Sequence, residues 1–170
     1  MTTAYTIGYE GTNIDRFVET LKLMGVTALA DVRAVPNSRK KGFSKTALQA
    51  RLEREGITYV HFVELGDPKP GREAARAGRY EVFEKIYTRH LDRADSEGAV
   101  RALSELAKTK PTCLLCFERD PSVCHRSLIA NRLRIDGIEV LHLSVDDPGR
   151  NVSHPEKLPR HDPREGASAA

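Results

Sequence analysis

The run VTALADV at Val26–Val32 limits the possible folds most sharply, because it is apolar on both of its alternating faces. A strand of that kind must be covered on both sides, which is the habit of parallel sheets in α/β proteins. The surrounding sequence supplies the covers. Ala4–Gly8 reads as a first strand with Tyr9-Glu10-Gly11 as its exit turn. A helix capped by Thr12 then runs to about Met24, with Ile14, Phe17, Val18 and Leu21 along one face and Gly25 as its stop.

After Val26–Val32 the pattern repeats. Ser44 caps a helix over Lys45–Glu55, Gly56 ends it, and Ile57–Val63 is a third strand with Val60 and Phe62 on one face and His61 on the other. Glu64–Arg72 reads as an exit loop. Helical spacing returns over Arg79–Leu91 and about Ser96–Lys108, followed by a strand at Thr112–Phe117, a helix at Ser127–Arg134, the stop at Gly137 and a strand at Ile138–Leu143. This order predicts one three-layer α/β domain over residues 1–145, built on a mostly parallel sheet of about five strands whose order is unspecified. Residues 146–170, rich in Pro, Gly and charge, are expected to form a loosely ordered or disordered tail.

Charge bears on partners only locally. The 27 basic and 24 acidic residues leave a net +3, too little for a global field that selects nucleic acid. Between Arg33 and Arg54, however, seven basic residues face one acidic residue, Glu53, a local balance of +6. No window reaches the roughly 18 apolar residues of a membrane span, and the first residues lack a signal-peptide pattern, so a cytoplasmic protein without a membrane partner is expected. Three cysteines are too few for a disulfide scaffold.

Parallel strands all exit on one edge, and ligands of open α/β sheets bind there. The exits predicted here are Tyr9-Glu10, Asp31–Arg33, Glu64, Cys116–Glu118 and Ser144. Neither a Walker loop nor a GxGxxG turn follows a strand, and no cofactor is called for. The stretch PTCLLCFERDPSVCHRSLIAN, Pro111–Asn131, carries all three cysteines across a strand, a turn and a helix start. Cys113 and Cys116 lie three apart on that strand and point to opposite faces, so they do not share a metal; Cys113 is read as core and no metal ligands are assigned.

Cys116 and Cys124 are read as a nucleophilic thiol activated by the helix end and His125, as a redox pair, or as small apolar fillers. Arg119 and Arg126 beside a helix N-terminus form an anion site, or Arg126 is an internal partner of Asp31 or Glu118. The Arg39–Lys45 loop contacts phosphates or serves solubility; with Phe43 as its one aromatic it is a poor stacking platform. His61, His90 and His142 are read as structural, while His154 and His161 fall in the tail.

TIGYEG at Thr6–Gly11, DVRAVPNSR at Asp31–Arg39, GFSK at Gly42–Lys45, YVHFVELGDP at Tyr59–Pro68 and LLCFERDPSVCHRSLIA at Leu114–Ala130 resemble the family of domain of unknown function 488. The resemblance runs to about Val145. It implies a small bacterial or archaeal cytosolic α/β domain, and its hallmark positions fall on Gly8, Glu10, Asp31, Arg33, Pro36, Ser38, Cys116, Glu118, Cys124, His125 and Arg126. It implies no reaction.

The expectation is a domain that binds a phosphorylated ligand, nucleotide or nucleic acid at the strand-exit edge, with thiol-based chemistry. Cys116, Cys124, His125, Glu118 and Asp31 are the candidate catalytic groups, and Tyr9, Glu10, Arg33, Pro36, Ser38, Arg39, Arg119 and Arg126 the candidate ligand contacts. In this expectation the cysteine stretch faces Asp31, Arg33 and the basic loop across one crevice. Two alternatives stand beside it: a non-catalytic nucleic-acid module using the 39–45 loop, and a Cys/His metal-binding or thiol-redox protein. Oligomeric state is left open.

Overall fold

The computed structural model describes residues 2–145. The predicted tail lies outside these residues. Five strands, β1 (Thr3–Gly8), β2 (Ala28–Asp31), β3 (Thr58–His61), β4 (Thr112–Cys116) and β5 (Glu139–His142), form one sheet in the order β3-β2-β4-β1-β5. Every pairing is parallel. The α/β class and five-stranded parallel sheet therefore agree with the sequence pattern, and the spatial order is added to it.

Six α-helices cover the sheet: α1 (Ile14–Leu23), α2 (Lys45–Arg54), α3 (Lys69–Arg76), α4 (Tyr80–Leu91), α5 (Ala94–Thr109) and α6 (Arg126–Ile135). One apolar layer joins Phe17, Val18 and Leu21 of α1 and Leu48 and Leu52 of α2 to Ile7, Leu29, Cys113 and Leu115 of the sheet. The other joins Phe83, Tyr87 and Leu91 of α4, Leu103 of α5 and Ile129 and Leu133 of α6 to Ala4, Ala30 and Leu114. Alternate residues of each strand thus enter alternate layers, as the period of two requires. β2 is buried at all four positions.

Local chemistry differs from expectation in three places, one being Ser44, which stands at the N-cap position of α2 without a capping bond from its side chain. The first helix is capped by Asn13, whose side chain accepts from the Arg16 N–H, rather than by Thr12. Asn13 wins because the extended backbone that a cap needs falls there. The stretch read as an exit loop, Glu64–Arg72, instead holds a short 3-10 turn at Val63–Leu65 and the first half of α3. Pro70 occupies the first turn of α3, where its missing N–H costs nothing, and Gly71 lies against the Asp67 carboxylate.

The strand exits are tied together tightly. A Cβ on Gly8 would come within 1.8 Å of the Glu118 carbonyl oxygen, and one on Gly66 within 2.4 Å of the Ala34 Cα. Only glycine allows the β4 exit to cross β1, and the β3 exit to cross that of β2, at such distances. The hydrogen-bond ladder runs on past the strands, from Tyr9 N–H to Cys116 O and from Glu10 N–H to Phe117 O.

Candidate functional site

The β4 strand ends at Cys116, and an Asp120-Pro121-Ser122 turn carries the chain back to Cys124 and His125 at the head of α6. Asp120 fixes that turn: its Oδ1 accepts from Ser122 N–H at 2.9 Å and from Ser122 Oγ at 2.6 Å. Sequence-distant thiols therefore meet. Cys116 Sγ and Cys124 Sγ lie 3.7 and 3.8 Å from the same atom, His125 Nδ1.

The histidine's orientation is set from its far side. Nε2 lies 2.6 Å from the Val32 carbonyl, which can only accept, so Nε2 carries hydrogen and Nδ1 is left to the sulfurs. Tyr87 packs its ring edge-on to His125 at 5.1 Å and is itself held by a bond from its hydroxyl to Leu65 O. The imidazole has little freedom to turn.

Two carboxylates complete the cluster. Cys116 Sγ donates to Glu118 Oε2 at 2.9 Å. Asp67, just before α3, is buried with Oδ1 lacking a hydrogen-bond partner, and it interacts electrostatically with His125. Cys116, Cys124 and His125 are almost completely covered, and Glu118 is the least covered residue of the cluster.

This enclosure separates the ionisations. Burial pushes the Cys116 thiol well up, and the neighbouring Cys124 adds to the effect. For Cys124 burial also opposes ionisation, but the Cys116 thiol, His125 and Arg126 outweigh it and pull the pKa well down. His125 rises to about 9, because the attraction of Cys124 overcomes burial. Burial and the Cys124 charge lift Glu118 to about 7, and burial lifts Asp67 to about 6. The directions of these shifts favour the charge on Cys124 beside a protonated His125, with Cys116 kept as a thiol. The two sulfurs and Nδ1 all lie within 4.8 Å of one another, a donor set that would also suit a soft metal ion such as zinc or copper(I).

Most of the remaining expected site residues serve other ends. Asp31 and Arg33 do not face the thiols across a crevice. Asp31 shares the α1/α2 face of β2 with Leu29, whereas Cys116 shares the α4/α6 face of β4 with Leu114. Asp31 is fully buried, and its two oxygens accept from Arg33 N–H, Arg33 Nε at 2.9 Å, Arg33 NH2 at 2.7 Å and Tyr59 OH at 2.5 Å. Saturated in this way, it is a structural clamp rather than a proton carrier. Arg33 spends its last nitrogen on Phe43 O and Tyr9 OH, which pins the 34–43 loop.

Tyr9, expected at a ligand, is fully buried and stacked on Phe43 at 4.4 Å. Arg126, expected on an anion, is also fully buried. It donates to the carbonyls of Glu118 and Arg119 and to Thr6 Oγ1, so its guanidinium shapes the β4 exit from beneath, and its charge acts on Cys124, Cys116 and Glu118 from inside the fold. Glu10 accepts from Arg119 N–H and ties the β1 and β4 exits together. Pro36 O accepts from Lys45 N–H and Ser38 Oγ from Lys40 N–H, which fold the basic loop, while Lys40 Nζ reaches Tyr9 O. Arg39 and Arg119 are exposed on this rim.

His61 and His90 bond to the Arg33 and Glu64 carbonyls, and His142 to Thr6 Oγ1, as structural histidines do. Cys113 lies in the α1/α2 layer, away from the other two thiols. Sequence reasoning missed Asp67 and Tyr87. Asp67 had a faint signal within YVHFVELGDP, while Tyr87 looked like any apolar position of a core-facing helix.

No helix among the described residues is long and apolar enough to cross a membrane. No curated protein and no solved structure matches the chain. A family profile described as domain of unknown function DUF488 matches residues 13–133, which include α1 through most of α6 and every member of the cysteine cluster. With most of its length and its whole thiol centre inside that match, the chain belongs to the DUF488 family.

Proposed function

We propose that the protein is a thiol-dependent enzyme in which Cys124 is the nucleophile, His125 holds its proton, and Cys116 with Glu118 forms the second acid–base pair. One observation carries this reading: both sulfurs converge on Nδ1 of a histidine whose Nε2–H is committed to the Val32 carbonyl. A histidine fixed from behind presents one nitrogen to a thiol, which is what a nucleophile–base pair requires. The lowered pKa of Cys124 agrees with it.

The substrate is an electrophile bearing an anionic group, such as a phosphorylated small molecule or a nucleic acid. The exposed Arg39, Lys41 and Lys45 of the basic loop are the candidate contacts for that anionic group, since the guanidinium groups of Arg33 and Arg126 are buried. That shifts the expected anion contacts from the helix start to the loop.

Limited alkylation with iodoacetamide at neutral pH, followed by peptide mapping, tests the assignment. Cys124 is expected to react first and Cys113 last, with inorganic pyrophosphate in excess slowing the reaction at Cys124. Equal, slow labelling of all three cysteines would remove Cys124 as nucleophile. Labelling of Cys124 that pyrophosphate leaves unchanged would remove the anionic substrate. Stoichiometric zinc on the purified protein, with labelling only after chelation, would replace the nucleophile by a metal centre.

A further inference from the structure

Cys116 has a feature that a nucleophile at Cys124 does not explain. Its sulfur sits 2.9 Å from a carboxylate oxygen of Glu118 while also facing the nitrogen that serves Cys124. A second thiol with its own base, poised beside the first, is the equipment of a resolving cysteine. The two sulfurs belong to a strand end and a loop, lie within 4.8 Å of one another, and both face His125 Nδ1. Closing them to the roughly 2 Å of a disulfide requires only a shift of the 117–124 turn. Cys113 cannot substitute, because it points into the opposite layer.

We propose that the centre carries out thiol–disulfide exchange, taking a disulfide as substrate and reducing it with the Cys116–Cys124 pair; this rests on Cys124 being the nucleophile. In the first step the Cys124 thiolate attacks one sulfur of the substrate disulfide. The Cys124–substrate S–S bond forms, the substrate's own S–S bond breaks, and the first substrate thiolate leaves, taking up a proton from His125. In the second step Glu118 takes the proton of Cys116, and the Cys116 sulfur attacks Cys124. The intramolecular disulfide forms, the mixed disulfide breaks, and the second substrate thiolate departs with a proton from solvent. The substrate gains two electrons and the dithiol loses them. A small-molecule thiol in excess, present as reductant, returns the pair to its reduced state by the same exchange in reverse.

The half-buried Glu118 fits this sequence. It is the least covered residue of the cluster and the one that accepts from Cys116, so the Cys116 proton has a carboxylate to move to while Cys116 itself remains covered.

The test uses the reduced full-length protein and glutathione disulfide, an anionic disulfide, in a single turnover read by intact mass and peptide mapping. Wild type is expected to lose two hydrogens as a Cys116–Cys124 cross-link, to release two glutathiones per chain and to keep none attached. Cys116→Ser is expected to stop with one glutathione on Cys124. Glu118→Gln is expected to accumulate the mixed disulfide, resolving it about a hundredfold more slowly than wild type. The wild-type mass alone decides if a variant fails to fold: glutathione that stays on Cys124 of wild type overturns the exchange reaction, and so does a cross-link through Cys113. If Cys124 alkylates first but its glutathione adduct does not resolve, the exchange proposal fails while the nucleophile stands. If Cys124 reacts with neither reagent, both fail.

Discussion

Asp31 and Arg33 illustrate how far a residue's role depends on the face it occupies. Both looked like site residues because they stand at a strand exit, yet the strand's alternation turns Asp31 away from the thiols and into a buried ion pair. A pair of this kind is expensive to break. Asp31→Asn leaves the Arg33 charge without its partner and is expected to lower unfolding free energy by about 3–5 kcal/mol in urea titration. Tyr59→Phe removes one donor to the same carboxylate, and a loss of about 1 kcal/mol is expected. If Asp31→Asn costs no more than Tyr59→Phe, the clamp is not what holds the 34–43 loop. The meeting of Cys116, Cys124 and His125 at a strand end and a helix start was readable from residue type and the strand–turn–helix pattern. The burial of Arg126 and Tyr9 was not, because no local pattern reports that an arginine will satisfy the carbonyls of a loop eight residues upstream.

Among the elements, the strands and the longer helices declared themselves through periods of two and of three to four. α3 did not. Its eight residues, KPGREAAR, bury only Gly71 and Ala74, so there is no apolar stripe to recognise, and Pro and Gly inside it read as turn chemistry. Sheet order was equally hidden, since strand spacing along the chain does not say that β4 inserts between β2 and β1. That insertion makes Gly8 decisive, because the β4 exit crosses directly over it. Gly8→Ala is expected to push the Glu118 backbone aside, to cost about 1–3 kcal/mol of stability and to slow Cys124 alkylation by displacing the turn that leads to it. Stability and alkylation measured on the same variant check this. A fully stable Gly8→Ala protein with normal thiol reactivity would show that the close approach has no hold on the site.

At the scale of the whole molecule, buried ionisable groups make stability depend on pH in opposing ways. Burial, with Arg126 and Arg134 nearby, pulls His142 down to about 3. Its folded form resists protonation, so its contribution is present above the unfolded value of about 6.5 and is lost as pH falls toward 3. Asp67 and Glu118, raised to about 6 and about 7, act oppositely: they stabilise the fold below about pH 4 and lose that effect as pH rises through their folded values. His142→Asn isolates the first effect. It is expected to remove about 2 kcal/mol of the acid destabilisation between pH 6.5 and 4.5, read from urea midpoints across that range. Identical acid profiles for wild type and variant would show that His142 titrates normally. The account as a whole stands on the ionised pair at the head of α6, and thiolate absorbance in the ultraviolet against pH measures it directly, with Cys124→Ser and His125→Gln as references. The prediction is one thiolate in wild type that persists well below the ordinary thiol pKa of about 8.5, is absent from Cys124→Ser, and moves back toward that value in His125→Gln. A wild-type protein in which no cysteine ionises until the pH passes 8.5 would contradict it.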